Sequence, residues 1–553
     1  MTDRLKIALA QLNPTVGDIP LNVGKIRAAR AEVAGSADLV VYTELMVAGY
    51  PPEDLVLKPA FQDDVEAAVR SLAQETADGG PAMLVPTPWR DGGKLYNAVL
   101  LLDRGEIAAV RLKYDLPNYN VFDEKRIFAV GPMPGPINFR DVRLGVPICE
   151  DIWSDEVVEC LVETGAELLL VPNGSPFDIS KPDHRLNIVV SRVTESGLPL
   201  AYINQVGGQD ELVFDGGSFV VNADFETPVR LPTFEEAVVI TDWRRGADGR
   251  WACQAGERTE PVEGLAAIYR AMTLGLRDYV TKNRFPGVLL GLSGGIDSAL
   301  SAAVAVDALG PERVWCVMLP SIFTSRESLD DAARCAQLLG ARLETVSIAP
   351  AVDAFEAELA SLFKGRERDI AEENLQSRAR AVVLMALSNK FGQMLLTTGN
   401  KSEMSVGYAT IYGDMAGGYS VLKDVYKTTV FALARWRNQQ RPQGALGPDG
   451  RVVPENIITK PPSAELRPEQ RDEDSLPPYE RLDDILECLV EREMAFEAIV
   501  ERGHAPEVVK RIEHLLYVAE YKRRQAPPGV KISQRAFGRD RRYPITNGFR
   551  DAK

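Results

Sequence analysis

Histidine is scarce in this chain. Three occur in 553 residues, His184, His504 and His514, which leaves little material for a histidine-based catalytic triad. The six cysteines are scattered with no Cys-x-x-Cys pair, so neither a zinc site nor a disulfide framework is indicated. Positive charge is in deficit: 63 Lys and Arg face 79 Asp and Glu, a formal net charge of -16. That balance argues against a nucleic-acid groove as the main business, although a small phosphate-bearing substrate needs only a few cations. No apolar run approaches membrane-spanning length, and Met1 to Lys6 holds no apolar signal core. The expectation is a cytoplasmic protein without a membrane partner. What remains is ordinary globular composition, 45% hydrophobic and 26% charged, in a chain long enough for two or three domains.

The most informative stretch is Val288-Leu289-Leu290-Gly291-Leu292-Ser293-Gly294-Gly295-Ile296-Asp297-Ser298, followed by a helix-forming run from Ala299. An apolar strand feeding a glycine-rich turn and then a helix builds a phosphate cradle. Glycines let backbone N–H groups approach the anion, and the helix start adds its positive dipole end. The closing Gly-Lys-Ser/Thr of a Walker A loop is missing, and an aspartate, Asp297, stands instead. A carboxylate beside phosphates makes sense if it holds Mg²⁺. Ser293 to Ser298 resembles the pyrophosphate-binding loop of the ATP pyrophosphatases, which adenylate a carbonyl oxygen at the expense of ATP. That class includes NAD, GMP and asparagine synthetases, so the loop implies ATP as co-substrate and a reaction type without choosing the carboxylate.

In the first half, Lys6 to Leu12, Ala37 to Thr43, Glu106 to Leu112 and Val142 to Ile148 read as strands, and Asn22 to Ala34 as an amphipathic helix. Three of these strands deliver a reactive side chain just past their ends: Glu44, Lys113 and Cys149. In α/β architecture ligands collect at that edge. Together the three could cleave an amide covalently, with thiolate as nucleophile, carboxylate as proton carrier and ammonium as oxyanion partner. The stretches around them, Tyr42–Leu45, Leu112–Pro117 and Pro147–Trp153, resemble in order the Glu, Lys and Cys motifs of the nitrilase superfamily. The resemblance runs over about residues 4–243 and includes Phe214 to Asn222 as a further strand. It implies an αββα sandwich and, among amidases that feed synthetases, glutamine as substrate. Tyr119, Ser175 and Lys181 then fit glutamine-binding roles, hydroxyls and a lysine suiting the carboxylate end. Glu124 fits a second, orienting glutamate as well as it fits an exposed charge.

Apolar periodicity fades after Arg244. The expected domains are 1–245, a linker at 246–264, and 265–553. The second domain alternates: helix Leu265–Lys282, the loop strand and its helix, strand Val314–Pro320, helix Glu327–Leu339, strand Glu344–Ile348, helix Leu375–Lys390, strand Gln393–Thr398. That pattern predicts a doubly wound parallel sheet with nucleotide across its strand ends. Several segments resemble those of NAD synthetases. The resemblance assigns Gly291 to Ser298, Thr398, Lys427 and Ser463 to ATP, and Asp297 and Glu403 to the metal. It assigns Asn374, Arg378, Glu403 and Lys522 to deamido-NAD. Tyr521 departs from the histidine many stand-alone synthetases carry there. A basic tail, Lys531 to Arg542, has no assigned role, and Arg437 to Pro478, dense in Pro, Gly and charge, reads as a flap or insertion.

The two halves explain one another. A carboxylate is inert to ammonia until activated as an acyl adenylate, and ammonia must arrive unprotonated. A glutamine amidase joined to an adenylating synthetase answers both needs. Nearly the whole chain resembles the glutamine-dependent NAD synthetases, which implies deamido-NAD, ATP and glutamine or ammonia as partners and a homo-oligomer. An amidotransferase of the same architecture acting on another carboxylate is the alternative.

Overall fold

A computed structural model describes residues 2–551. The chain divides into two compact units, Met1–Val262 and Glu263–Lys553. No helix among the described residues is long and apolar enough to cross a membrane.

The first unit is a four-layered αββα sandwich. Its larger sheet has seven strands; Arg4–Gln11, Leu39–Tyr42 and Ala82–Asp91 run parallel at its centre, and Lys94–Asp103 and Glu106–Leu112 extend it antiparallel. The smaller has six, around Leu168–Asn173 and Leu200–Asn204. Strand periodicity decides the layering. Leu5, Ile7 and Leu9 point into the core between the sheets, where they meet Leu144, Leu168, Ala201 and Val220. Ala8 and Ala10, on the other face, pack under the outer helices Ile19–Glu32 and Pro59–Glu75. Helices Glu156–Glu163 and Lys181–Ser196 cover the smaller sheet the same way.

Two expectations for this unit need correction. The stretch 246–264 is not linker throughout: Trp251–Cys253 pairs antiparallel with Ala237–Arg245 and buries Trp251 and Cys253 in the inter-sheet core. A three-residue strand between charged turns is too short for periodicity to reveal. Phe214 to Asn222 is not one strand. Leu212–Asp215 forms a hairpin with Val206–Gln209, while Phe219–Val221 joins the six-stranded sheet. Gly216 and Gly217, with φ of 65° and 62°, make the break in a conformation glycine adopts without strain.

The second unit is built on a five-stranded parallel sheet. Its order runs Arg342–Thr345, Val314–Met318, Val288–Gly291, Met394–Thr397, Tyr419–Ser420. Helix Ile370–Phe391 and helix Ala349–Leu359 pack over Leu289, Trp315, Val317 and Leu395; the loop helix Ile296–Leu309 packs with Gly264–Lys282 and Lys427–Gln439. The sheet is doubly wound, as expected. A helical cluster of Tyr479–Leu486, Phe496–Glu501 and Pro506–Val518 packs against Lys401–Val406.

The Pro- and Gly-rich stretch after Arg437 is not a free flap at its start. Arg437 is fully buried; its guanidinium clasps Asp307 at 2.6 and 2.9 Å and donates to the carbonyls of Pro448 and Gly450. Val452 and Val453 are buried as well. The basic tail is likewise packed down at its start, where Lys531 to Ser533 are buried. Lys531 Nζ pairs with Asp540 at 2.6 Å, and the Ile532 and Ser533 amides both donate to Asp424 at 2.7 Å. Buried Lys401 reaches Ser533 Oγ at 2.6 Å, Asp424 at 2.8 Å, and Glu491.

Candidate active sites

In the first unit three strand ends supply the side chains. Glu44 follows Leu39–Tyr42, Lys113 follows Glu106–Leu112, and Cys149 begins the short 3-10 turn Cys149–Ile152 after Val142–Gly145. Glu44 and Lys113 are fully buried and Cys149 is 4% exposed. Lys113 Nζ lies 2.7 Å from Glu44 Oε1 and 2.9 Å from Glu124 Oε2. Glu124, which the sequence left between two readings, is therefore part of the cluster. Asn97 Nδ2 donates to Glu44 Oε1 at 2.8 Å, Gly174 N–H to Glu44 Oε2 at 2.9 Å, and Tyr50 hydroxyl to Glu124 at 2.9 Å.

The electrostatics follow from burial. The two carboxylates outweigh desolvation at Lys113 and hold its ammonium charged, well above its ordinary range. Burial pushes Glu124 up to about 7 against the pull of Lys113. The Cys149 thiol is driven well above its usual value by burial and then by Glu44; Lys113 and the Gly174 N–H oppose the shift. Burial thus favours the thiol over the thiolate. Cys149 has φ of 46°, a left-handed conformation that non-glycine residues hold only when their surroundings impose it.

Around this cluster, Tyr119 hydroxyl donates to Glu150 at 3.0 Å. Ser175 Oγ accepts from Arg185 Nε at 3.0 Å, and Arg185 forms a buried pair with Asp215 at 2.7 Å. Lys181 Nζ sits 4.3 Å from the centre of the Trp153 ring, with its charge disfavoured by burial. Asn97, Arg185 and Glu150 escaped the sequence reading. Asn97 lies opposite Lys113, whose N–H donates to the Asn97 carbonyl at 2.8 Å, but only the strand pairing shows this.

In the second unit the glycine-rich loop closes on itself. The Ser293 N–H donates to Ser298 Oγ at 3.2 Å, Gly295 N–H to Ser293 Oγ at 3.2 Å, and Ser298 hydroxyl to the Gly295 carbonyl at 3.0 Å. Asp297 sits in the first turn of the helix. Its Oδ1 accepts from Asn400 Nδ2 at 2.9 Å and its Oδ2 from Lys427 Nζ at 2.5 Å; Lys427 also reaches Glu403 at 3.0 Å. Asn400 caps helix Lys401–Val406, and Glu403 completes the capping box. Burial and the Asp297 charge push Glu403 up to about 8 despite Lys427, and the two carboxylates outweigh desolvation to raise Lys427 above its usual value.

These groups line a cavity of about 1130 Å³. Its walls include Gly291, Leu292, Ser293, Gly295 to Ser298, Thr398, Glu403, Lys427 and Ser463, but not Gly294. Asn374, Arg378 and Lys522 lie off this wall and converge on one turn. Thr410 hydroxyl donates to Asn374 at 2.8 Å, Arg378 donates to the Ile411 carbonyl at 3.3 Å, and Lys522 to the carbonyls of Gly407 and Ala409 at 2.8 and 2.7 Å. Tyr408, Ala409 and Thr410 of that turn line the cavity. The sequence reading did not find Arg380, a cavity residue held by the Leu319 carbonyl at 3.0 Å.

No group of three or more His, Cys, Asp or Glu able to hold a metal occurs among the described residues. Asp297 and Glu403 nevertheless converge on one point, since both reach Lys427 Nζ. Two carboxylates, with phosphate oxygens and water to fill the other positions, suit a hard divalent cation.

Comparison with known proteins gives two family matches: carbon-nitrogen hydrolase over residues 6–252 and NAD synthase over residues 268–526. The chain is 53% identical over 552 residues to a Rhodobacter capsulatus protein named glutamine-dependent NAD(+) synthetase, covering all of both chains. A protein of the same name from Xanthomonas campestris is 47% identical over 99% of this chain and 98% of its own. The structure of the glutamine-dependent NAD(+) synthetase of Acinetobacter baumannii, in complex with ADP, superposes with a TM-score of 0.78 at 41% identity, covering 99% of each chain.

Proposed function

This chain belongs to the glutamine-dependent NAD(+) synthetases, and on that premise we propose which residues carry its two half-reactions. A nitrilase-like glutaminase domain supplies ammonia, and an NAD synthase domain uses it with ATP as co-substrate. The observation that carries the assignment is the buried Lys113, held between Glu44 and Glu124 beside the Cys149 elbow.

In the glutaminase, Glu44 takes the Cys149 proton as sulfur attacks the amide carbon of glutamine. Lys113 stabilises the oxyanion, and Glu44 returns the proton to the departing ammonia. Glu44 then activates water to cleave the thioester, releasing glutamate and restoring the thiol. Glu124 keeps Lys113 charged and in place. Tyr119, Ser175 and Lys181 bind the glutamine. In the synthetase, the carboxylate of deamido-NAD attacks the α-phosphorus of ATP, and pyrophosphate departs into the loop Ser293–Ser298. Ammonia attacks the resulting acyl adenylate, AMP leaves, and NAD is formed. Lys427, Thr398 and Ser463 hold ATP; Asn374, Arg378, Glu403 and Lys522 hold deamido-NAD. Asp297 and Glu403 would hold Mg²⁺, which supplies charge neutralisation at the departing pyrophosphate. We further assign a cytoplasmic location, in keeping with six free cysteines, and a homo-oligomer. Helix Ile370–Phe391 supports the latter by exposing Ile370, Val382 and Phe391 at 55% or more.

The test separates the nitrogen donors. Cys149→Ala should abolish NAD formation from glutamine and leave formation from ammonium salts intact. Equal loss of both activities in a folded variant would overturn the assignment.

A further inference from the structure

One buried acid beside the glutaminase cluster takes no part in the chemistry above. Asp151 is fully buried, two residues beyond Cys149, and all of its hydrogen-bonding capacity is spent on two segments. Its Oδ2 accepts from the Ile148 N–H at 2.9 Å, in the residue before the nucleophile, and from Arg111 Nη2 at 2.7 Å. Its Oδ1 accepts from the N–H groups of Tyr114 and Asp115 at 3.1 and 2.7 Å, in the two residues after Lys113. One carboxylate thus joins the backbone entering the cysteine to the backbone leaving the lysine. Arg111, near the end of strand Glu106–Leu112, and Lys113, just past it, are both buried, and each cation has its own acid. Among the described residues, Asp151 is the one side-chain hydrogen-bond partner of Arg111, whose Nε and Nη1 find none there.

We propose that Asp151 is the positioning residue of the glutaminase: its carboxylate clamps the Cys149 elbow to the Lys113 strand and so sets thiol against oxyanion partner. The proposal rests on the roles assigned to Cys149 and Lys113. The elbow needs such a clamp because Cys149 is held at a φ of 46°, which a free loop would relax. A carboxylate is required because four donors face it. An amide of the same shape turns its NH₂ toward at least one of them and replaces attraction with a clash of donors.

The experiment uses full-length Asp151→Asn, Arg111→Lys and Cys149→Ala, each assayed for glutaminase kcat and KM, for Cys149 alkylation by iodoacetamide, and for ammonia-dependent NAD formation. Asp151→Asn is expected to lose about a hundredfold in glutaminase kcat, the cost of roughly 1 Å of misplacement. Its KM for glutamine should stay within about threefold, since the Tyr119, Ser175 and Lys181 contacts are untouched, and ammonia-dependent synthesis should persist. Arg111→Lys leaves the three backbone bonds intact and should keep most of the parental kcat. Parental kcat in folded Asp151→Asn would overturn the proposal, as would an equal loss in Arg111→Lys. If Asp151→Asn leaves the first unit unfolded, Asp151→Glu carries the same test: it retains the acceptors on a longer arm, and parental kcat in it overturns the clamp. Glutaminase activity surviving Cys149→Ala would instead remove the underlying assignment, an outcome distinct from failure of the clamp alone.

Discussion

Two adjacent glycines in the candidate phosphate loop should respond differently to a single methyl group. Gly294 has φ of 82°, and a Cβ there would stand 2.3 Å from the Ser328 carbonyl oxygen and 3.0 Å from two further Ser328 backbone atoms. Gly295 has φ of −91°, and its Cβ would meet only Ser293 Oγ at 3.3 Å. Forcing alanine into the left-handed region costs about 1–2 kcal/mol. The overlap at position 294 is with backbone of the Arg326–Leu339 helix, which cannot swing aside, and adds about 1–3 kcal/mol. Gly294→Ala should therefore lower the stability of the second unit by about 2–5 kcal/mol, roughly 5–15 °C in its unfolding transition. It should also cost about a hundredfold in ammonia-dependent synthesis, because the loop must shift by roughly 1 Å. Gly295→Ala should unfold like the parent, so any lost activity there reports crowding of phosphate alone. Basal glutaminase activity is the internal control and should persist in both. Thermal unfolding of the two variants, with ATP–pyrophosphate exchange in the presence of deamido-NAD, decides the matter. Equal transitions for Gly294→Ala and parent, with exchange within about threefold, would refute the loop geometry.

Further expectations concern the charged groups. Asp297→Ala or Glu403→Ala should stop synthesis with both nitrogen donors while glutaminase persists; unaltered pyrophosphate exchange would sink the metal assignment. Burial raises the Glu124 carboxyl to about 7, so the folded state binds its proton more tightly than the unfolded chain does. Its stabilising contribution is present below about pH 4.5 and is lost as pH rises through about 7. The unfolding midpoint of Glu124→Gln, relative to parent, should therefore improve between pH 5 and 8; a flat difference across that window contradicts the shift. Removing residues 531–553 should abolish synthesis with both donors, because Lys401 then loses Ser533 and the Arg535 carbonyl beneath the helix that presents Glu403. Parental ammonia-dependent activity would show that the tail is dispensable.

The candidate reactive centres were legible because each sits just past an apolar strand, within a stretch that resembles a known motif. Glu44, Lys113 and Cys149 follow three such strands, and the Ser293 loop follows a fourth; strand ends are visible in hydrophobic patterning without knowledge of pairing. Their partners were not legible, because a sequence does not show which acid finds which base. Arg111 and Asp151 are 40 residues apart, Arg185 and Asp215 are 30, and Lys427 and Asp297 are 130. The basic tail had no legible role for the same reason: the carboxylates of Asp424 and Glu491 that accept from its backbone, and Glu520 that pairs with Arg541, lie upstream, while Lys531 finds Asp540 within the tail itself. Trp251–Cys253 escaped notice because a strand of three residues has too short a period to read.

The most direct measurement supplies the full-length protein with deamido-NAD, ATP, Mg²⁺ and glutamine labelled with ¹⁵N in its side-chain amide, and weighs the NAD formed. The account predicts NAD heavier by one mass unit, with one AMP and one pyrophosphate for each molecule. Cys149→Ala should abolish that product yet yield normal NAD from added ammonium salt. Labelled NAD from Cys149→Ala, or a parent protein that leaves the label in glutamine while turning over ammonium, would contradict it.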